Sequence, residues 1–259
     1  MGMDLALLAG SSSSSIVTPS PLPLVVLVSG AAGALGSAVV LELARVGHRI
    51  FAGYNKTSEP FYPASANHPV ALNLDVAQEA SCRAAVDAVI AKSGRLDAVV
   101  HCAGISQDAL LVHQGGVAWQ NCFDINFNGP KYLDQAASRF MVPQHDGHLV
   151  HIGSSTGISG SAGQTAYATA KAALHGLTQS LAVELGPHNI RVNTVLPGIL
   201  RSAMTDSLSS ERLQTLRNAN VLARFNDPEE VARFIAFLLS TRSISGQIFA
   251  LDSRIQRLF

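Results

Sequence analysis

The chain has little charge, few cysteines and no long apolar run, and each shortage excludes something. Only 14% of its 259 residues are charged, and 18 basic side chains face 18 acidic ones. A nucleic-acid binder gathers Lys and Arg on one face. A formal net charge of zero with no basic run excludes that class of partner. The three cysteines, Cys82, Cys102 and Cys122, are too few and too scattered for a disulfide framework. They read as reduced thiols in a cytoplasmic protein. No apolar run approaches the ~18 residues that a membrane span needs; the longest, Pro23 to Val28, is strand length, so no membrane partner is expected. The apolar stretch Leu5–Ala9 follows Asp4, and the first basic residue is Arg45, which fits neither a signal nor a transit peptide. Ser11–Ser15 followed by Pro19, Pro21 and Pro23 reads as a disordered leader over residues 1–22, with one domain over 23–259.

What the chain does have is apolar material: 47% hydrophobic residues and a mean hydropathy of +0.25. That suits a sheet buried on both faces, whose strands are unbroken apolar runs. Such runs occur at Leu24–Ser29, His48–Gly53, Pro69–Leu72, Leu96–His101, His148–Ile152, Ile190–Leu196 and Gln247–Leu251. Helical patterns lie between them, at Gly36–Val46, Glu79–Ser93, Val117–Phe140, Thr165–Leu185 and Pro228–Ser240. Strands that alternate with helices must pair in parallel, because every return needs a crossover. The expected fold is α/β: a single-domain, Rossmann-like, doubly wound parallel sheet of about seven strands with helices on both faces. The Ser-rich stretch 202–220, with Leu208, Leu213 and Leu216 at near-helical intervals, is expected to form a lid over a substrate.

The first strand runs into Ser29-Gly30-Ala31-Ala32-Gly33-Ala34-Leu35-Gly36 and then a helix. Glycines permit a tight turn, and the free N–H groups at the start of the helix suit a pyrophosphate. The second strand ends at Gly53-Tyr54-Asn55-Lys56 with no carboxylate before Glu59. An acidic residue there would bond a ribose 2′-hydroxyl and favour NAD. Asn55 and Lys56 instead favour a 2′-phosphate, hence NADP(H).

Tyr167-Ala168-Thr169-Ala170-Lys171 puts a phenol and an ammonium one helical turn apart. A nearby ammonium is expected to lower the phenol pKa toward the range of a general acid/base. With Ser154 thirteen residues before Tyr167, Asn126 in Asp124-Ile125-Asn126-Phe127, His101-Cys102-Ala103-Gly104 and Pro197-Gly198, the chain resembles the short-chain dehydrogenase/reductase family from about Leu24 to Asp252. His101-Cys102 replaces a common Asn-Asn pair, Ala34 replaces a loop glycine, Gly33 replaces the Arg that many NADP-dependent members carry, which weakens the NADP reading, and Leu251-Asp252-Ser253-Arg254 replaces a V-D-G-G close.

The resemblance implies roles. Tyr167 exchanges a proton with the reacting oxygen, Ser154 hydrogen-bonds that oxygen, Lys171 holds nicotinamide-ribose hydroxyls, and Asn126 holds a water that links Lys171 to solvent. Ser155 is the competing hydroxyl, and Asn126 has a plainer reading as the cap of a helix irregularity. Gly30, Gly33, Leu35 and Gly36 would cradle the pyrophosphate and Asp75 and Val76 would flank the adenine. Ala103 and Gly104 would let the cofactor pass, while Pro197, Gly198, Ile199 and Ser202 would support the nicotinamide. No metal ligand is expected.

Gly153 to Thr205 is most similar to 3-oxoacyl-[acyl-carrier-protein] reductases and polyketide ketoreductases. The expected function is therefore NADPH-dependent reduction of a 3-oxoacyl thioester, on a small-molecule or carrier-protein-linked acyl substrate, by a homo-oligomer. Where such proteins carry basic residues at the active-site mouth for an acidic carrier, this chain has His145 and His188, with Arg139 and Arg191 nearby. Two other readings stand beside it: a dehydrogenase of another secondary alcohol, sugar or steroid, and a silent dinucleotide-binding oligomer partner.

Overall fold

The structure, a computed structural model, describes residues 23–55, 68–202, 205 and 209–255. The expected leader and Lys56 lie outside the described residues, as does most of 203–208 in the expected lid. Seven strands form one parallel sheet: β1 (Val25–Ser29), β2 (Arg49–Tyr54), β3 (Val70–Asn73), β4 (Ala98–His101), β5 (Gly147–Ile152), β6 (Ile190–Leu196) and β7 (Ile248–Ala250). Their spatial order is β3-β2-β1-β4-β5-β6-β7. β1, β5 and β6 are buried along their whole length, as unbroken apolar strands covered on both faces must be.

Eight α-helices cover the sheet among the described residues: α1 (Ala34–Arg45), α2 (Glu79–Ser93), α3 (Gly116–Phe123), α4 (Gly129–Gln144), α5 (Thr156–Ser159), α6 (Thr165–Leu185), α7 (Ser210–Asn218) and α8 (Pro228–Ser240). Side chains alternate across a strand. Val26 and Val28 therefore point to one core with Val39, Leu43, Ile235 and Leu238 of α1 and α8. Val25 and Leu27 point to the other, with Val86 of α2 and Leu133 of α4. Asp227 starts α8 by accepting from the Glu229 N–H, with Pro228 in the first turn, and Gly94 ends α2 at φ +73°.

One expected element is split. The pattern predicts a helix through Val117–Phe140, whereas a π-helical turn, Asp124–Asn128, separates α3 from α4. A π turn inserts one residue into a helix, a shift too small to show in an apolar stripe, and it recurs at functional sites.

From β1 the chain builds outward to β2 and β3 on one side and to β4 through β7 on the other. Loops leaving β1 and β4 therefore part, and the crevice between them is where ligands bind in sheets of this kind.

Candidate active site

The glycine turn sits at that crevice. Gly30 has φ +65°, and a Cβ there would stand 2.5 Å from the Ala103 nitrogen. A Cβ on Gly36 would come within 2.1 Å of the Gly30 carbonyl oxygen. Both glycines are thus demanded by close backbone packing. Gly33 caps α1, and the first turn there carries no side-chain cap and no acidic residue, which leaves it open to an anion at Leu35 and Gly36. Ala34 opens α1 without a positive φ, so its methyl group is tolerated.

Four expected residues converge beyond the crevice. Lys171, buried on α6, donates from Nζ to the Ile152 carbonyl at 2.8 Å. Its Nζ lies 5.7 Å from the Tyr167 ring centroid. Ser154, just past β5, hydrogen-bonds Tyr167 and accepts from the Thr156 N–H at 3.2 Å. Ser154 is the hydroxyl paired with the phenol, and Ser155 is buried where α5 begins. Asn126, in the π turn, donates from Nδ2 to the carbonyls of Ile105 and Cys122, both at 2.8 Å. Its Oδ1 is buried without a partner.

Gly104 joins the two halves. A Cβ there would meet Asn126 Oδ1 at 2.9 Å and Lys171 Nζ at 3.6 Å, so a side chain would fill the space these groups face. The uncapped α1 turn, the bare Gly104 and the orphaned Asn126 oxygen together fit a dinucleotide laid across the crevice.

The remaining expected cofactor residues lie at the same end of the strands. Asp75 and Val76 follow β3, and Asp75 Oδ1 accepts from the Ala77 N–H at 3.1 Å. Gly198, at φ +76° after β6, is pressed on Asn226, whose Oδ1 lies 2.6 Å from where a Cβ would be. Ile199 accepts from the Asn226 N–H at 2.8 Å, and the Ser202 N–H donates to Thr205 Oγ1 at 2.9 Å. Asn55 ends the described part of the β2 loop.

The electrostatics differ from the expectation. Burial dominates and pushes the Tyr167 phenol up to about 12, against the hydrogen bond from Ser154. Burial also brings the Lys171 ammonium down to about 8. Removal from water disfavours whichever form is charged. Tyr167 is thus a protonated phenol at neutral pH, and Lys171 titrates close to it.

Two features were not foreseen. His101 and His151 bond the two oxygens of Asp134, each at 2.8 Å, and all three residues are buried. A carboxylate only accepts, so both imidazoles donate from Nε2. His151 Nδ1 then accepts from Thr178 on α6 at 2.7 Å, and Thr178 meets Thr194 of β6 at 2.7 Å. These ligand-type atoms lie within 4.8 Å of one another, but each imidazole engages its own carboxylate oxygen, which is a hydrogen-bonded arrangement. His101 drew notice in the sequence as a replaced Asn; nothing marked Asp134, which pairs with it across 33 positions.

The second feature concerns His145 and His188, which left carrier docking open in the sequence. His145 and His188 stack with ring centroids 5.6 Å apart where β5 and β6 begin, at the opposite end of those strands from Ser154. Arg191 is held there by Asp146 and His148, both at 2.7 Å. Within one chain these groups do not flank the active-site mouth.

A family model described as Enoyl-(Acyl carrier protein) reductase matches residues 30–253. The chain is 35% identical to the 3-oxoacyl-[acyl-carrier-protein] reductase FabG of Thermotoga maritima, over 88% of this chain and 96% of that one. It is 36% identical to carbonyl reductase family member 4 of Danio rerio, over 90% and 98%. The crystal structure of gox2181 superposes with a TM-score of 0.81 at 29% identity, covering 89% of this chain and 95% of that one. Fold and site define the class, a nicotinamide-dependent oxidoreductase acting on CH–OH and C=O groups. The chain belongs to the short-chain dehydrogenase/reductase family.

Proposed function

We propose that the chain reduces a 3-oxoacyl thioester, linked to acyl carrier protein or CoA, to the 3-hydroxyacyl form with NADPH, in fatty-acid or polyketide-type biosynthesis. The observation that carries this reading is the meeting of Ser154, Tyr167 and Lys171 at the end of β5, where Lys171 Nζ and Asn126 Oδ1 both border the small space left open by Gly104. The names of the Thermotoga maritima and Synechocystis relatives, both 3-oxoacyl-[acyl-carrier-protein] reductases, support the substrate class. The cofactor preference rests on the β2 loop, which offers Asn55 and Lys56 and no carboxylate before Glu59.

When bound, a reduced nicotinamide supplies hydride to the carbonyl carbon. Tyr167 gives its phenolic proton to the oxygen, and Ser154 donates a hydrogen bond to that oxygen as its charge develops. A phenol held protonated by burial suits the reductive direction, since it arrives as the acid. Lys171 orients ribose hydroxyls, and Asn126 Oδ1 places the water from which Tyr167 regains its proton by way of Lys171. The free thiols of Cys82, Cys102 and Cys122 support a cytoplasmic location. It assembles as a dimer or tetramer, a reading supported by the exposed Val117 on α3 and Val183 on α6.

The deciding experiment compares initial rates on acetoacetyl thioester plus NADPH with rates on a panel of secondary alcohols, sugars and steroids plus NAD or NADP. The thioester should win by kcat/KM, and Tyr167→Phe should lower that value by roughly 10²–10⁴-fold. Faster oxidation of an alcohol would replace this reading with the dehydrogenase one. The carbonyl reductase name of the Danio rerio relative makes simple ketones the second set to try.

A further inference from the structure

A cavity of about 410 Å³ opens beyond the end of β6, lined by Arg201, Arg217 and Arg224 together with Phe225, Asn226 and Asp227. None of the three guanidiniums has an ion-pair partner among the described residues. The one carboxylate on the wall, Asp227, is engaged as the cap of α8. Arg201 lies over the Phe225 ring at 5.7 Å, and Arg217 donates from Nε to the Ala223 carbonyl at 2.6 Å, with no hydrogen bond from its two terminal nitrogens among the described residues. Like charges gathered around one cavity repel one another, so three exposed arginines with no ion-pair partner among the described residues offer an anion a site.

The position of the cavity says whose anion it is. Asn226, on its wall, packs against Gly198 and bonds Ile199. Arg201 is three residues beyond Gly198, at most about 11 Å along the chain. The cavity therefore adjoins the Gly198-Ile199 turn after β6, where the nicotinamide is expected. The adenosine end of a dinucleotide belongs at β2, across the switch point, so its phosphates are not the ones served here. What remains is the second substrate.

We propose that this cavity holds the phosphate of the pantetheine arm of a thioester substrate, through Arg201, Arg217 and Arg224. The proposal rests on the thioester-reductase reading and deepens it. Planar guanidiniums bind phosphate oxygens in pairs and supply binding energy remote from the reacting carbonyl. Coenzyme A and carrier proteins present the same phosphate on the same arm, and the test separates them.

Wild type, Arg201→Gln and Arg224→Gln are assayed on acetoacetyl-CoA, on acetoacetyl carrier protein and on the N-acetylcysteamine thioester, which has the acyl group without the phosphate. Each substitution should raise the KM for a phosphate-bearing thioester about tenfold relative to the truncated one, with the gap narrowing as salt is added. The corresponding Lys variants should recover part of it. Response on both long substrates identifies the shared phosphate, and response on one identifies its source. Equal effects on long and truncated thioesters, or none, overturn the proposal while the reductase reading stands. If wild type reduces no thioester at all, both fall.

Discussion

Gly36 tests the site at the scale of one residue. Its missing Cβ would stand 2.1 Å from a backbone oxygen, which cannot swing aside as a side chain would. Gly36→Ala should weaken nicotinamide-dinucleotide binding at least about tenfold and cost about 1–3 kcal/mol of stability. Fluorescence titration and chemical denaturation read the two, and unchanged affinity would show that the α1 turn is not the phosphate site. Lys171 gives a second prediction. With its ammonium brought down to about 8, cofactor affinity should weaken as pH rises through that value, and Lys171→Met should flatten the dependence. Stability moves the other way: between about 8 and the ordinary Lys value of 10.5 the unfolded chain holds more protons, so folding gains as pH rises there.

At the scale of elements, one carboxylate ties β4, β5 and α4, and through Thr178 it reaches α6 and β6. A buried charge contributes little net stability while paired, but losing its partner group is costly. Asp134→Ala strands two imidazole N–H groups and should destabilise by about 3–5 kcal/mol. Asp134→Asn can still accept from one ring and should cost less. Equal stability of Asp134→Ala and wild type in urea would refute the network. None of this was legible in sequence, because its members come from separate elements at no regular spacing. The Tyr167–Lys171 pair was legible, because both lie on one helix where spacing alone sets the shared face.

At the scale of the whole molecule, burial shapes the response to acid. His48, His101, His148 and His175 are all held below the ordinary imidazole value by loss of water, His148 down to about 3. Groups with depressed folded values bind protons more readily once unfolded. Their contribution is fully present above about 6.5 and is lost as pH falls below it. The Tm should therefore be steady from pH 8 to 7 and decline toward pH 5. A flat profile across that range would mean these histidines are solvated in solution. The order of the sheet belongs to this scale too: alternation of strands and helices implied parallel pairing, and the observed order then set the crevice between β1 and β4.

By itself the sequence determined what is local. Apolar runs specified the strands, helical spacing put Tyr167 beside Lys171, and the glycines marked where backbone must pass close to backbone. Only the tertiary structure decided which of two adjacent serines meets the phenol, that burial dominates at Tyr167 over the hydrogen bond with Ser154, and that three arginines share one cavity. The physical reason is that desolvation and long-range contact depend on what the rest of the chain places around a group, and no spacing along the chain encodes that directly.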